Sequence, residues 1–193
     1  MSKFFVTNDA ELHNRLTTRI EKSKFKLAFN KECNGIYAIS THKLLIDNTN
    51  YFDDANDFIV QTGTGVYEEK IGADNLKKAL NEFDGNVDSF RNHWLGNFGV
   101  AVKKAEKCYF FSEAVGFYDV FYFCKDGKWL IGTSLIDMAD VLKNEISLNK
   151  LNVLERLVRF TVLDNQTIFN GISRLAGNQY IVAHNNTITV NNL

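Results

Sequence analysis

Residues 97–134 read NFGVAVKKAEKCYFFSEAVGFYDVFYFCKDGKWLIGTS, which is a run of four apolar segments separated by short polar turns. Valine, isoleucine and aromatic residues dominate the segments, as is typical of β-strands. One turn is a charged stretch around Glu106, and another is Lys125-Asp126-Gly127. Turns this short connect antiparallel neighbours. This part of the chain therefore predicts a series of antiparallel strands.

Further strand signals lie on both sides of this stretch. Asn34-Gly35 is a strong two-residue hairpin signal between KLAFNKEC and IYAIST. The polar, acidic residues 47–57 are expected to form a mobile loop. The other predicted strands are KFFVT (3–7), HKLLIDN (42–48), DFIVQTGTGVY (57–67) and a closing hairpin of NQYIVAHN (178–185) and NTITVNN (186–192).

Four stretches have helical spacing instead. Residues 9–22 follow a capping box of Asn8 and Glu11. Residues 73–95 form two helices, broken at 84–86 and capped by Asn86. Residues 134–144 form a short helix, and residues 147–163 form one with an apolar stripe of Leu151, Leu154 and Val158, flanked by Leu148, Leu157 and Phe160. Clustered strands with segregated helices indicate an α+β fold.

Composition excludes several classes of protein. The 193 residues suffice for one domain with a substantial core, since 45% of them are hydrophobic. A net charge of −1 gives no reason to expect nucleic acid or an anionic membrane as a partner. No apolar run approaches the roughly 18 residues that span a bilayer, and the N-terminus lacks the order of a secretion signal. The three cysteines show no CxxC spacing, so we expect a reduced, cytoplasmic protein.

Few motifs in the sequence are candidates for a metal, ligand-binding or catalytic site. The four histidines have no partner at ligand spacing, so we expect no metal site and no cofactor in this domain. The stretch GTGVYEEK (63–70) lacks the spacing of a phosphate-binding loop, because Glu68 stands where the third glycine would be. The acidic residues 53–57 lack the glycine and the closing glutamate of a calcium loop.

Ser2 is the remaining candidate for catalysis. The chain begins MSKFFVTND, so removal of Met1 would expose Ser2 at the N-terminus. Its hydroxyl would then be a nucleophile, with the freed α-amine, which titrates near about pH 8, as general base. The alternative is that Ser2 is only the first residue of a buried strand.

Residues 57–190 resemble the glutaminase domain of asparagine synthetase-like proteins. Glu113 and Gly116 stand where that family has Asp and Gly after a strand, and Phe121-Tyr122 stand for its paired tyrosines. Leu95, Gly96 and Phe98 fit an earlier strand of the family. The stretch TIFNGISRLAGNQYIV (167–182) is similar to the run that closes the glutaminase domain.

The resemblance implies a class II glutamine amidotransferase-like, Ntn-hydrolase-type fold in a single domain over residues 1–193. Such a fold is a four-layer sandwich of two packed antiparallel sheets flanked by helices. The resemblance also implies an asparagine synthetase-like, ATP-using domain as partner, in cis or in trans, since no ATP site is expected in this chain.

The catalytic positions depart from the family pattern. The family nucleophile is a Cys directly after the initiator Met, where this chain has Ser2. The family's Asn-Gly-Glu-Ile-Tyr element supplies an oxyanion donor and substrate contacts, and it best matches residues 63–67. There Gly replaces both the side-chain amide and the carboxylate, which leaves Gly63, Thr64 and Gly65 as a degenerate substrate pocket. Loss of one oxyanion donor typically costs about 10²–10³-fold in rate.

Three functions follow from this pattern. The first is a degenerate, non-catalytic amidotransferase-like domain with a structural or docking role. The second is an active N-terminal-nucleophile amidohydrolase that uses Ser2 on glutamine or another small amide. The third is a binding module whose former glutamine pocket holds another small ligand, in room left by Gly63 and Gly65.

Overall fold

A computed structural model describes residues 2–43 and 49–193. Most of the strand predicted at residues 42–48 lies outside the described residues, as does Met1. The helices and strands follow one another in this order: β1 (Phe4–Thr7), α1 (Ala10–Glu21), β2 (Leu27–Cys33), β3 (Ile36–Thr41), β4 (Tyr51–Asp53), β5 (Phe58–Tyr67), α2 (Gly72–Glu82), α3 (Val87–Arg91), β6 (Trp94–Lys104), β7 (Lys107–Ser112), β8 (Phe121–Lys125), β9 (Lys128–Gly132), α4 (Leu135–Val141), β10 (Ser147–Leu148), α5 (Lys150–Arg159), β11 (Phe169–Asn170), β12 (Ile172–Arg174), β13 (Gln179–His184) and β14 (Thr187–Asn192).

Two six-stranded sheets form the centre of the molecule. The first sheet has the strand order β12-β8-β9-β1-β3-β2, and the second has the order β14-β13-β7-β6-β5-β4. Every pairing within them is antiparallel. The strands predicted at 97–134 divide between the sheets, with β6 and β7 in the second and β8 and β9 in the first. The turn at residues 113–120 therefore carries the chain from one sheet to the other.

Strand β1 lies inside the first sheet, between β3 and β9. Successive side chains of a strand point to opposite faces. Phe4 and Val6 enter the core between the sheets, and Phe5 enters the core on the helical side. Both faces of β1 are covered, which explains why the segment is apolar throughout rather than alternating.

The helices complete a four-layer arrangement. Helices α1 and α4 cover the outer face of the first sheet through Leu12, Leu16 and Met138. Helices α2 and α3 cover the outer face of the second sheet through Leu76 and Phe90. The fold is thus an α+β sandwich of two antiparallel sheets between helical layers, as the sequence predicted.

Some local predictions need correction. Helix α1 is capped by Asp9, whose Oδ1 accepts from the Leu12 amide at 2.9 Å, and not by Asn8. The Asn8 side chain instead accepts from the Trp129 amide at 2.9 Å and so ties β1 to β9. The acidic loop contains the short strand β4, and Trp94 begins β6 rather than ending a helix. The predicted hairpins at Asn34-Gly35 and at 178–192 are confirmed.

Helix α5 differs from the other helices in what it buries. Asn152 is its only buried residue, and the predicted apolar stripe faces solvent. Within residues 2–43 and 49–193, no helix is both long and apolar enough to cross a membrane.

Candidate site between the sheets

Ser2 lies at the start of β1, at one end of the space between the two sheets. The Thr41 amide donates to the Lys3 carbonyl at 2.9 Å, so extended pairing continues to this end of the strand. By strand alternation Ser2 shares the inward side with Phe4 and Val6. Ser2 is only 2% exposed, and its hydroxyl finds no hydrogen-bond partner among the described residues.

The second sheet contributes a row of small and hydroxyl residues to this space. Thr62 of β5 pairs with Gly99 of β6, and Gly99 pairs with Ser112 of β7. Residues paired across an antiparallel ladder point to the same face, and this face also carries Val60 and Phe110 of the inter-sheet core. Thr62 and Ser112 are buried, and the Ser112 hydroxyl is without a partner in the part of the chain that the structure describes.

Tyr118 fills the space over this row. A Cβ built on Gly99 would lie 3.0 Å from the Tyr118 ring, and a Cβ built on Gly63 would lie 2.8 Å from it. The Tyr118 hydroxyl lies 3.5 Å from the Ser2 carbonyl oxygen, at the limit of hydrogen-bonding distance. Burial raises the pKa of Tyr118 to about 12, although the neighbouring Thr62 hydroxyl acts in the opposite direction. Tyr118 is therefore a neutral phenol that closes this end of the sandwich over Ser2.

Glu113 fixes the turn that presents Tyr118. Its buried carboxylate accepts from three backbone amides, those of Val115 at 2.7 Å, Gly116 at 2.9 Å and Tyr118 at 2.6 Å. Gly116 has a φ of +71°, which is a left-handed conformation that glycine adopts without strain. The Glu and Gly identified in the sequence at 113 and 116 thus have a structural role, because they hold the chain where it crosses between the sheets.

The glycines predicted to leave a substrate pocket are closely packed. A Cβ at Gly63 would lie 2.2 Å from the Asn97 carbonyl oxygen, and a Cβ at Gly65 would lie 2.5 Å from Nε2 of Gln61. The Gly65 carbonyl accepts from the side-chain amides of Gln61 at 3.2 Å and Asn75 at 3.1 Å. Thr64, between them, is exposed. The space beside Gly63 and Gly65 is therefore occupied by neighbouring protein, while their role as substrate contacts stays a prediction.

The chemistry available at this site is narrow. A serine nucleophile needs a general base within hydrogen-bond reach. No acidic or basic side chain in residues 3–43 or 49–193 makes a hydrogen bond to the Ser2 hydroxyl. The nearby Tyr118 is a neutral phenol, so it is not a base near neutral pH. The freed α-amine of Ser2 is the one base that the sequence predicted for this position.

The sequence identified part of this site and missed the rest. It identified Ser2, Glu113 and Gly116 from their positions along the chain. It did not identify Thr62, Ser112 or Tyr118, because strand register brings those residues together over a separation of about 50 residues. The one local signal for Tyr118 was the aromatic pair Phe117-Tyr118 that follows the Glu113–Gly116 turn.

No metal cluster accompanies the site. Within residues 2–43 and 49–193, no group of three or more His, Cys, Asp or Glu side chains is placed to hold a metal ion. Cys33 and Cys108 are buried free thiols, and Cys124 is an exposed one.

Comparison with known proteins gives a fold and not a family. No protein-family model matches the sequence, and no curated protein matches it. The structure is similar to the glutamine phosphoribosylpyrophosphate (PRPP) amidotransferase of B. subtilis complexed with ADP and GMP, with a TM-score of 0.57 at 8% identity. It is also similar to a structure of the allosteric regulatory enzyme of purine biosynthesis, with a TM-score of 0.58 at 7% identity.

In both cases the match covers 100% of this chain and 49% of the other, so the chain spans about half the length of these proteins. The fold is the Ntn-hydrolase-type fold of class II glutamine amidotransferases. At identities this low the likeness concerns the backbone architecture.

Proposed function

We propose that this chain is a degenerate, non-catalytic glutamine amidotransferase-like domain with a structural or docking role. The observation that carries the proposal is the closed state of the site. Ser2 is 2% exposed beneath Tyr118, and no side-chain base reaches its hydroxyl among the described residues. In this proposal the Tyr118 ring, which packs against Gly63 and Gly99, keeps glutamine from reaching Ser2.

The proposed partner is an asparagine synthetase-like, ATP-using domain in cis or in trans, in a cytoplasmic setting. Helix α5 supports a docking role, because Leu151, Leu154 and Val158 face solvent although they form one apolar stripe. Contiguous exposed apolar surface of this kind is typical of interaction sites. We therefore propose that the α5 stripe contacts the ATP-using domain.

An active amidohydrolase is the second candidate, and one observation favours it. The Ser2 hydroxyl is unpartnered among the described residues and points into the space between the sheets. A buried hydroxyl without a partner has a cost in free energy, and a catalytic role is one explanation for such a group. In this alternative Met1 is removed, the α-amine is the base, and Tyr118 moves aside to admit a small amide.

A binding module without catalysis is the third candidate. It would use the former glutamine pocket around Gly63, Thr64 and Gly65 for another small ligand. The close contacts of Gly63 and Gly65 with Asn97 and Gln61 weigh against an open pocket there.

The first experiment measures whether Ser2 reacts. The purified chain is incubated with an electrophilic glutamine analogue, and intact mass is recorded together with ammonia release from glutamine. We expect no covalent adduct and no ammonia. Ser112→Ala is the matched control for Ser2→Ala, because both serines are buried and unpartnered at the same end of the sandwich. An adduct that disappears in Ser2→Ala and persists in Ser112→Ala would contradict the proposal and establish the second candidate.

The second experiment measures docking. The chain is titrated with an asparagine synthetase-like ATP-using domain encoded in the same genome, by isothermal calorimetry. We expect binding that Leu154→Lys weakens at least about tenfold, since a charge would enter an apolar interface. Ile71→Lys is the control, because Ile71 is also exposed but lies on the other helical side. Absence of binding, or equal loss in both variants, would contradict a docking role for α5.

A further inference from the structure

A cavity lies on the opposite face of the first sheet from Ser2. It has a volume of about 380 Å³ and opens between the start of α4, the C-terminal end of α5 and the segment 161–168. Cavities of about 300–1,000 Å³ are the usual size of small-ligand sites. The cavity shares no lining residue with the site around Ser2 and Tyr118. It is therefore a separate candidate, independent of whether Ser2 reacts.

The walls of this cavity are apolar on one side. Phe121 of β8 and Leu135 of α4 contribute to it, and both belong to the core between the first sheet and its helices. Val162 and Ile168 come from the segment that follows α5. These four side chains form a surface on which an aliphatic or aromatic group can lie out of water.

Two arginines supply the polar side of the cavity. Arg174 forms a long ion pair with Asp119, with Nη1 and Oδ1 3.6 Å apart. Arg156 makes no side-chain hydrogen bond or ion pair with any residue in 2–43 or 49–193. The charged lining residues are thus two guanidinium groups and one carboxylate, which leaves one positive charge without a counterpart in the described lining.

The segment 161–168, which forms one wall of the cavity, is tied to α5 and to β12. The Asn152 side-chain amide donates to the Thr167 carbonyl at 2.7 Å and to the Gln166 side-chain oxygen at 2.9 Å. The Thr167 hydroxyl donates to the Ile172 carbonyl at 2.8 Å, which joins the segment to β12. The segment is therefore held in place on both sides, whereas the Arg156 side chain reaches the cavity from α5 and is exposed.

We propose that this cavity binds a small carboxylate with an apolar tail. The carboxylate pairs with Arg156, whose planar fork matches a carboxylate in two hydrogen bonds. The tail lies on Phe121, Leu135 and Val162. A neutral ligand of the same shape would not form this ion pair, so we expect the charge of the ligand head to decide binding.

The test compares an acid with its amide. Thermal unfolding of the whole chain is followed with increasing isocaproate and, separately, isocaproamide, which has the same size without the charge. We expect isocaproate to raise the unfolding midpoint in a saturable manner, since a ligand that binds the folded state stabilises it. The amide should bind at least about tenfold more weakly. Equal effects of the two compounds would overturn the proposal.

Two arginine variants locate the effect. Arg156→Gln should remove the stabilisation by isocaproate, whereas Arg159→Gln should retain it. Both arginines are exposed on the same helix, but Arg159 does not line the cavity. Retention of the effect in Arg156→Gln would contradict the assignment. Amide chemical shifts of Val162 and Ile168 provide a second readout, because they should respond to isocaproate at concentrations at least about tenfold lower than to isocaproamide.

Discussion

Tyr118 packs at the end of the inter-sheet space that contains Ser2. Its ring packs over Gly99 and Gly63 and closes the end of the inter-sheet space, with the hydroxyl 3.5 Å from the Ser2 carbonyl oxygen. Its contribution to stability therefore comes from ring packing more than from the hydroxyl. A side chain in this position stabilises the fold at the expense of a pocket.

We expect Tyr118→Ala to lower the free energy of unfolding by about 3–5 kcal/mol, because it leaves a cavity at a buried position. Tyr118→Phe should cost less than about 1 kcal/mol, since the hydroxyl has only a weak contact. Urea unfolding measures both changes. Similar losses in the two variants would place the stabilisation in the hydroxyl and contradict this account.

Asp137 is a second residue whose environment sets its behaviour. It is 4% exposed and pairs with Lys3 and Arg19, and it accepts from the Ser134 hydroxyl at 2.6 Å. Burial acts to raise the pKa of Asp137, but the hydrogen bonds and charges of these partners outweigh it and hold that pKa below its usual value. The pair with Lys3 fixes the start of β1 against α4.

A lowered pKa in the folded state has a definite consequence for pH dependence. The contribution of Asp137 is fully present above its unfolded-state pKa of about 3.9 and is lost as pH falls through the folded-state value. We expect Asp137→Asn to cost about 1.5–3 kcal/mol near neutral pH, and the difference from the parent protein to shrink below about pH 4.

Asp140→Asn is the control for this measurement. Asp140 also pairs with Arg19, at 3.4 Å, but its side chain is half exposed, so the change should be under about 1 kcal/mol. Urea unfolding at several pH values measures both variants. A cost for Asp137→Asn that stays constant into acid would show that the ion pairs are not its source.

At the scale of elements, α5 is attached to the body by polar contacts. Asn152 is its one buried residue and makes two side-chain hydrogen bonds to the segment 166–167. The leucines of the helix contribute no buried core; Leu151 is 77% exposed. This is the reverse of the usual amphipathic helix, in which the apolar face is the attached one.

We expect loss of the polar residue Asn152 in α5 to cost more stability than loss of an apolar residue of the same helix. Asn152→Ala should lower the free energy of unfolding by about 1–3 kcal/mol, because buried polar partners are left unsatisfied. Leu154→Ala should change it by less than about 0.5 kcal/mol, since Leu154 is exposed. Chemical denaturation measures both. A larger loss in Leu154→Ala would show that the stripe packs against the molecule.

At the scale of the whole molecule, the inter-sheet core joins the two sheets into one unit. Phe4 of the first sheet and Phe110 of the second belong to the same buried cluster, together with Trp129. Trp94 belongs to the separate cluster between the second sheet and its helices. The two tryptophans therefore report on different layers of the sandwich.

We expect both layers to unfold in one cooperative transition. In Trp94→Phe the remaining fluorescence comes from Trp129, and in Trp129→Phe it comes from Trp94. Within each variant the fluorescence and far-UV circular dichroism midpoints should coincide. Adding Phe4→Ala should lower both midpoints, at a cost of about 3–5 kcal/mol. Separate midpoints for the two probes would show that the sheets unfold independently.

The sequence by itself determined the elements whose signals are local. The Asn34-Gly35 hairpin, the Asn86 cap and the antiparallel strands of 97–134 follow from turn chemistry and side-chain period, which act over a few residues. The α+β class follows from their order along the chain. The local sequence does not determine whether Asn8 or Asp9 caps α1. The Asn8 side chain accepts from the distant Trp129 amide instead, which leaves Asp9 as the cap.

Only the tertiary structure decided which faces of the elements are buried and which are exposed. The stripe on α5 is readable from the sequence, but its outward direction depends on contacts of Asn152 with residues 14 and 15 positions away. Likewise Ser2 is readable as a candidate nucleophile, but its burial and its contact with Tyr118, 116 positions along the chain, are properties of the folded chain. Side-chain period and helix capping depend on neighbouring residues, whereas burial depends on which distant segment covers a face. For this reason the closed site and the exposed helix are visible only in the folded molecule.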